Sequence, residues 1–153
     1  MNKNSSVFIV IIYLLSLLVV NIFLGYTMLY GSLFPKPDYN LLFECTIISG
    51  IGGILYCLRG VYLNFCVKKN WDNDWIVWYL IRPVASVICG GVSFLFLKAG
   101  LLVLEAKKET DASNLGFFAL AFIAGLNVDK FIAKIEELAK ATWGIEKSRS
   151  ADN

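Results

Sequence analysis

The sequence contains no histidine, few charged residues and none of the short motifs that carry common enzymatic chemistry. Without histidine, the chain lacks the commonest general base, the side chain that titrates closest to neutral pH, and the commonest metal ligand. It has no phosphate-binding G-x-x-x-x-G-K-[ST] run, no dinucleotide fingerprint and no G-x-S-x-G nucleophile elbow. We therefore expect no enzyme, no metal and no organic cofactor, and no motif indicates direct nucleic-acid binding.

Cysteine is present but is not arranged for redox or metal chemistry. The four cysteines are Cys45, Cys57, Cys66 and Cys89, with no C-x-x-C spacing among them, and all fall in or beside apolar segments. Free cysteine behaves as a small hydrophobic residue when it is buried. We interpret these four as packing residues.

The abundant component is apolar. The chain has 153 residues, of which 58% are hydrophobic and 17% are charged, and its mean hydropathy is +0.65. A soluble domain carries about 25% charged residues. Four helices of about 20 residues, the length that spans a bilayer, would take up most of such a chain. We predict an all-α integral membrane helical bundle with four transmembrane helices and a C-terminal amphipathic helix.

The apolar runs predict where these helices lie. A transmembrane domain covers residues 1–127, with spans at about 7–29, 41–60, 76–98 and 113–127, and residues 128–153 form a cytoplasmic amphipathic helix and tail. Pro83 is expected to set the start of the third span, because a proline in the first turn lacks only an unused N–H. The fourth run is short: a helix over residues 114–126 extends about 20 Å, against a hydrocarbon core of about 30 Å. It is a short crossing, a crossing that continues into the helix from Val128, or a re-entrant half-helix.

Lysine and arginine are distributed unevenly among the predicted loops. If Met1 is cytoplasmic and four helices cross, ten of the fourteen Lys and Arg residues lie inside and four lie outside. Cytoplasmic loops of membrane proteins carry the excess of these residues. We therefore predict that both termini are cytoplasmic, and the same bias favours a full fourth crossing.

Small residues recur at fourfold spacing on two of the spans. One stripe contains Cys45, Ser49, Gly53 and Cys57, and the other contains Ala85, Cys89 and Ser93, with Ser86 and Gly90 beside it. Residues four apart share one face of a helix, and small side chains let helix backbones approach closely in lipid. The stripes serve packing within one subunit, or close packing between subunits or around a pore.

Few charges fall inside the spans. Glu44 and Lys98 both belong to the outer half of the bilayer, where we expect them to pair, either as a structural pair or at a pore mouth. Arg59 and Arg82 lie near the cytoplasmic interface, where anionic headgroups favour arginine. They anchor the helices there, or they bind an anionic ligand.

The C-terminal segment has a clear helical pattern. One face carries apolar residues from Val128 to Trp143, and the other carries Lys130, Lys134 and Lys140 with two glutamates. Such a helix lies on the inner leaflet, or it joins a cytoplasmic bundle that holds an oligomer together. The three lysines are candidates for meeting a cytosolic protein partner or an anionic, nucleotide-like signal.

Part of the chain resembles a known kind of bacterial membrane module. The resemblance rests on Trp78–Pro83, Gly90-Gly91, Lys98–Leu102, Asn114–Phe117 and Ala121–Leu126, and it covers residues 78–147. That uncharacterised module has two helices followed by an amphipathic tail, and it implies no particular chemistry. The compact multipass architecture also resembles the membrane effectors of bacterial anti-phage systems, which oligomerise and permeabilise the inner membrane when a partner senses infection.

These observations lead to a hypothesis of a small homo-oligomeric, pore-forming effector of the bacterial inner membrane. In it the helix at 114–126, with Gly116, Ala121 and Gly125, lines or gates the pathway, and Phe117, Phe118 and Phe122 form a constriction that blocks ions by dewetting. The alternative is a non-conducting membrane anchor or scaffold for a cytosolic partner. A holin-like protein also fits the small size and basic tail.

Overall fold

A computed structural model of the chain describes residues 3–31, 37–101 and 113–144. It contains α1 (Lys3–Tyr30), α2 (Pro37–Val61) with a π-helical continuation (Tyr62–Val67), α3 (Trp75–Lys98), α4 (Ser113–Leu126) and α5 (Val128–Trp143). The described residues contain no strand, so the all-α prediction is confirmed. The tail predicted after Lys147 lies outside them.

Three of these helices are long and apolar enough to cross a membrane. They cover Lys3–Met28, Asp38–Val67 and Trp75–Lys98, and a fourth crossing is added if α4 and α5 together count as one broken span. The prediction of a membrane helical bundle is confirmed in this form. The π-helical segment keeps α2 helical as far as Val67, since its backbone bonds simply shift register by one residue.

Helix α2 occupies the centre of the bundle, and α1, α3 and α4 pack around it. Only 17% of the most apolar stretch of α1 is buried inside the protein, compared with 44% for α2 and 39% for α3. Large apolar side chains such as Phe8, Ile12 and Phe23 therefore point outward from α1. Outward-facing apolar side chains are what lipid as a solvent favours, and they identify α1 as the peripheral helix.

The two ends of the bundle are marked by different side chains. At one end, called the Lys98 end here, the ammonium of Lys98 donates a 2.8 Å hydrogen bond to the carboxylate of Asp38. At the other, the Trp75 end, the rings of Trp71 and Tyr79 stack with centroids 5.4 Å apart, and Trp75 meets Trp71 edge-on. Paired charges at one end and indole rings at the other are typical of the two membrane–water interfaces.

Helix α4 is short and ends in a sharp turn. Its 14 residues extend about 21 Å, and the chain then bends by 112° between Leu126 and Val128. The bend excludes a straight helix that continues from α4 into α5. A short crossing, a broken span that continues into α5 after the bend, and a re-entrant segment all agree with this geometry.

The expected role of Pro83 is wrong, because Pro83 lies inside α3 rather than at its start. The helix begins at Trp75, and the residues before the proline are held by the aromatic packing of Tyr79 against Trp71. Pro83 removes one backbone hydrogen bond, to the carbonyl four residues earlier. Aromatic packing at the Trp75 end therefore extends the helix past a residue that usually starts one.

Candidate functional site

Helices α2, α3 and α4 meet backbone to backbone at a cluster of small residues, which we call the small-residue contact: Ser49, Gly53, Ser86, Gly90 and Gly125. The hydroxyl of Ser49 donates a 2.6 Å hydrogen bond to the carbonyl of Ser86. The hydroxyl of Ser86 lies 2.9 Å from the Arg82 carbonyl and 3.0 Å from the Gly125 carbonyl, so its one proton serves either acceptor. The Ser49–Ser86 and Ser86–Gly125 bonds cross between helices, whereas the bond to Arg82 lies within α3.

The glycines at this contact leave no space for a side chain. A Cβ at Gly125 would overlap the carbonyl of Ser49, and one at Gly53 would overlap the Ser86 hydroxyl. A Cβ at Gly90 would meet the Cys45 carbonyl at 2.6 Å. Close approach of this kind increases the van der Waals contact on which helix association in lipid depends.

The two predicted stripes therefore pack within this chain. Ser49 and Gly53 face α3 and α4 directly, whereas Cys89 is buried against Ala124 and Val128, with Ala85 packed beside it. The sequence identified both stripes, and it placed Ser86 and Gly90 beside the second one. Those two residues face Ser49 from α3, one position further along the chain than Ala85 and Cys89.

The three phenylalanines proposed as a constriction do not all line one cavity. The ring of Phe117 packs on Phe94 at 5.7 Å between centroids, and Phe122 lies against Gly52 of α2. Both belong to the packing of α4 in the bundle. Phe118 alone of the three also lines a large cavity. The hypothesis assigned all three to one constriction, but α4 packs against both α2 and α3.

That cavity is a groove between α1 and α4, with α2 as its floor, and it has a volume of about 590 Å³. We call it the Glu44 groove. Its lining is mostly apolar, from Ile22, Gly25, Tyr26, Met28, Ile47, Ile48, Ile51 and Phe118, and the polar side chains in it are Asn21, Glu44 and Asn114 with the Tyr26 hydroxyl. One carboxylate and two amides thus share a groove in the spanning part of the protein.

The polar groups of the Glu44 groove lie at different depths. Glu44 follows Asp38 by six residues of α2, which places it about 9 Å from the Lys98–Asp38 pair. The Asn21 carbonyl oxygen lies beside Gly50, about another 9 Å along the helix axis. Asn21 donates its amide to the Leu17 carbonyl at 2.8 Å, which leaves its oxygen turned toward α2. The polar lining therefore extends from the Lys98 end toward the middle of the bundle.

A second, smaller cavity continues beyond Asn21. It has a volume of about 90 Å³ and lies between α1, α2 and α3, lined by Tyr13, Leu17, Asn21, Gly50, Ile54, Pro83, Val84 and Val87. Asn21 lines both cavities and separates them. Further toward the Trp75 end, the Tyr13 hydroxyl donates to the Leu80 carbonyl at 3.2 Å, where α1 closes onto α3.

The expected pair between Glu44 and Lys98 does not form, because Lys98 pairs with Asp38. The sequence placed both residues in the same half of the bilayer, and that depth is consistent with the structure. It did not place them around the helix: Glu44 lines the groove between α1 and α4, and its neighbour Cys45 packs against Phe94 of α3 and Ala121 of α4. Depth follows from hydropathy, whereas direction around α2 depends on which helices pack where.

Arg82 also differs from expectation. It is only 5% exposed, and it donates a 2.7 Å hydrogen bond to Asp129 in the first turn of α5. Its guanidinium lies over the rings of Tyr56 at 4.9 Å and Trp78 at 5.4 Å. Arg82 is therefore a structural link from α3 to α5, not a lipid-facing anchor. No pattern in the sequence indicates this pair, because the two residues meet only after the 112° bend.

The other basic candidates are at the surface. Arg59 is exposed and lines a separate cavity at the Trp75 end, described below. Lys130, Lys134 and Lys140 are exposed along α5, and Lys134 pairs with Glu137 at 3.0 Å. The described ranges contain no group of three or more Cys, Asp or Glu side chains able to hold a metal ion.

Comparison of the chain with family models, with curated proteins and with solved structures gave no match, so the geometry of the Glu44 groove and the helices around it carries the functional argument.

Proposed function

We propose that this protein is the subunit of a small homo-oligomeric pore in a bacterial inner membrane, and that ions pass along the Glu44 groove. The observation that carries the proposal is a carboxylate lining a membrane-embedded groove together with Asn21 and Asn114. Ionisable groups are costly inside a bilayer, and where they persist they mark ion or substrate pathways. A carboxylate at this depth favours cations over anions.

The position of α1 supports this pathway over one along α4. Helix α4 is held by the small-residue contact, where Gly125 touches the backbone of Ser49, so it has no room to move. Helix α1 is far less buried than α2 and α3, and it faces α4 across the groove. Movement of α1 away from Asn21 would join the large cavity to the small one.

An oligomer is needed to complete the pathway. The groove is open along one side, and a single subunit would expose Glu44 and Asn114 there to lipid tails. A second copy of the chain beside α1 and α4 would enclose the polar groups. In this arrangement Phe118 takes the constricting role, which the proposal no longer gives to Phe117 and Phe122.

The structure also offers a route for activation. Asp129 at the start of α5 is tied to Arg82, whose carbonyl lies within hydrogen-bond distance of the Ser86 hydroxyl. A cytosolic partner or anionic signal that bound the exposed lysines of α5 would act on this link. Such a signal is what the proposed role in anti-phage defence, with both termini in the cytoplasm, requires.

The test is ion flux through vesicles that contain the purified full chain, read with a potential-sensitive dye under a potassium gradient. We expect Phe118→Ala to conduct, since it widens the groove, and Glu44→Gln on that background to reduce the preference for potassium over chloride. Phe117→Ala and Glu136→Gln are the matched controls, because neither residue lines the groove. Conduction equal to that of empty vesicles in Phe118→Ala would reject the pore.

A second candidate, the non-conducting membrane anchor, is favoured by α5. That helix leaves the bundle at the 112° bend and exposes Lys130, Ile132 and Trp143, a surface suited to a protein partner. The same vesicles distinguish the two, since an anchor conducts in none of the variants.

A further inference from the structure

A third cavity lies at the Trp75 end, where α2 passes into its π-helical segment. Its volume is about 410 Å³, within the range of small-molecule sites. It is lined by Tyr56, Arg59, Gly60, Leu63, Asn64, Asp74, Trp75, Trp78 and Tyr79, and we call it the aromatic cavity. It shares no lining residue with the Glu44 groove.

The aromatic cavity contains one charge of each sign. Arg59 is exposed near the end of α2, and Asp74 is exposed at the position just before α3. An aspartate at that position usually caps its helix with a side-chain hydrogen bond, but Asp74 makes none. The first amides of α3 are instead bonded to the carbonyls of Asp72 and Asn73, which leaves the Asp74 carboxylate available to the cavity.

Aromatic rings form the walls between these two charges. The ring centroids of Tyr56 and Trp78 are 5.9 Å apart. The ring of Tyr79 stacks on Trp71, and its hydroxyl accepts a hydrogen bond from the Asn64 side-chain amide. Asn64 belongs to the π-helical segment, a kind of distortion that is frequent at functional sites. The rings are therefore held in place before any ligand binds.

The charges and rings match one kind of molecule. A phosphate pairs with a guanidinium, and an ammonium pairs with a carboxylate and with the face of an aromatic ring. The guanidinium of Arg82 lies over the rings of Tyr56 and Trp78 but is paired with Asp129, so Arg59 is the cation that lines the cavity. We propose that the aromatic cavity binds the zwitterionic headgroup of a phospholipid, with its phosphate at Arg59 and its ammonium at Asp74.

A lipid is favoured over a soluble phosphate ester by the place of the cavity. Trp75 and Trp78 are indole-bearing residues at the end of membrane-spanning helices, the level at which headgroups lie. Helix α4 ends at the level of Arg82, which lies about 10 Å along α3 from Trp75. Helix α4 therefore does not line this part of the bundle. The acyl chains would extend from the cavity along the exposed Val77 and Ile81 of α3.

The test is retention of added lipid by the purified full chain in detergent, measured by native mass spectrometry. Phosphatidylethanolamine and phosphatidylglycerol with identical acyl chains are compared, since the second lacks the ammonium. We expect about tenfold tighter retention of phosphatidylethanolamine, the effect of one good contact. Asp74→Asn should bring the two lipids to similar retention, and Arg59→Gln should weaken both.

Matched controls and competitors separate the outcomes. Lys68→Gln and Glu136→Gln change charges away from the cavity and should leave retention unchanged, and Arg59→Lys should keep part of it. Thermal unfolding of each variant shows whether its fold is intact. Equal retention of both lipids by the original chain, or a preference unaltered in Asp74→Asn, would overturn the proposal. So would displacement of the lipid by free phosphoethanolamine at equal concentration, which would indicate a soluble ligand. None of these results depends on ion conduction.

Discussion

The two sides of α2 are packed in opposite ways. Toward α3 and α4, Ser49 and Gly53 touch neighbouring backbones and leave no space for a methyl group. Toward α1, the same stretch of helix forms the floor of a groove of about 590 Å³ that contains a carboxylate. Glu44 and Cys45 are adjacent in sequence, yet one lines the groove and the other is fully buried in the core. We infer that rigidity and function are divided between the two faces of one helix.

The physical reason lies in the residues that each neighbour presents. Helices α3 and α4 bring Ser86, Gly90 and Gly125 to α2, so the backbones approach until hydrogen bonds form between helices. Helix α1 brings Asn21 and Gly25 between large apolar residues, and it closes onto the bundle mainly through Val7, Val10 and Leu14 near its start. Its second half therefore remains apart from α4.

The largest expected effect comes from adding one methyl group on the tight side. Gly90→Ala should lower the free energy of unfolding by about 3 kcal/mol, because its Cβ would meet the Cys45 carbonyl and the Ser49 side chain. Gly91→Ala is the matched control, since its Cβ would be 3.5 Å from Thr46 and in ordinary contact. Chemical unfolding in mild detergent measures both. Equal stability of the two variants would mean that α2 and α3 are not in close backbone contact at Gly90.

Loss of the ion pair that joins α3 to α5, Arg82 with Asp129, should have the next largest effect on the free energy of unfolding. Arg82→Gln removes a charged hydrogen bond and two ring contacts from a buried side chain, and should cost about 2 kcal/mol. Asp129→Asn should cost less than about 1 kcal/mol, because the Asp129 side chain is 78% exposed. Limited trypsin cleavage at Lys130 and Lys134 should become faster in both. Unchanged cleavage in Arg82→Gln would contradict the linking role.

A single interhelical hydrogen bond should have a smaller effect. Ser86→Ala removes the hydroxyl that bridges toward Gly125 and should lower the free energy of unfolding by about 1 kcal/mol, as such bonds do in membrane helices. Ser16→Ala is the control, because that exposed hydroxyl bonds only within α1 to the Tyr13 carbonyl. The same unfolding experiment is used. A larger loss from Ser16→Ala than from Ser86→Ala would reverse the comparison.

Changes on the groove side should barely affect stability. Asn21→Ala loses one hydrogen bond to the Leu17 carbonyl within α1 and enlarges the space between the two cavities, so we expect a change within about 0.5 kcal/mol. In the vesicle assay, the same variant should raise potassium flux on the Phe118→Ala background. A stability loss as great as that of Gly90→Ala would show that α1 is as firmly packed as α3.

The sequence was a good guide to elements and to depth. Apolar runs predicted the three long helices, helical periodicity predicted the one that starts at Val128, and fourfold spacing identified Ser49 and Gly53. These features depend on local composition and on the regular geometry of a helix, which a single sequence contains. The residues of the groove wall on α2 and α4, Glu44 and Phe118, were also among the predicted candidates.

The sequence did not predict which neighbouring helix each side chain faces. The sequence could not show that Lys98 meets Asp38, that Arg82 meets Asp129 across the bend, or that Phe117 faces Phe94. It did not single out Asn21, because one amide in an apolar run has no pattern. Each of these depends on how helices pack around α2, and small residues set that packing through contacts between distant parts of the chain.

The most direct test compares two adjacent positions of α2 in a chain whose exposed Cys66 has been changed to serine. A charged, membrane-impermeant thiol reagent is applied from outside to membranes that contain this chain, with and without Glu44→Cys, since such reagents attack the ionised thiol in water. The account predicts modification of the cysteine introduced by Glu44→Cys and no modification of native Cys45, which is buried against α3. Failure to modify position 44 in properly inserted protein would mean that lipid fills the groove. Modification of Cys45 would mean that both sides of α2 are open. Either result would contradict the division of α2 into a closed face and a water-filled groove.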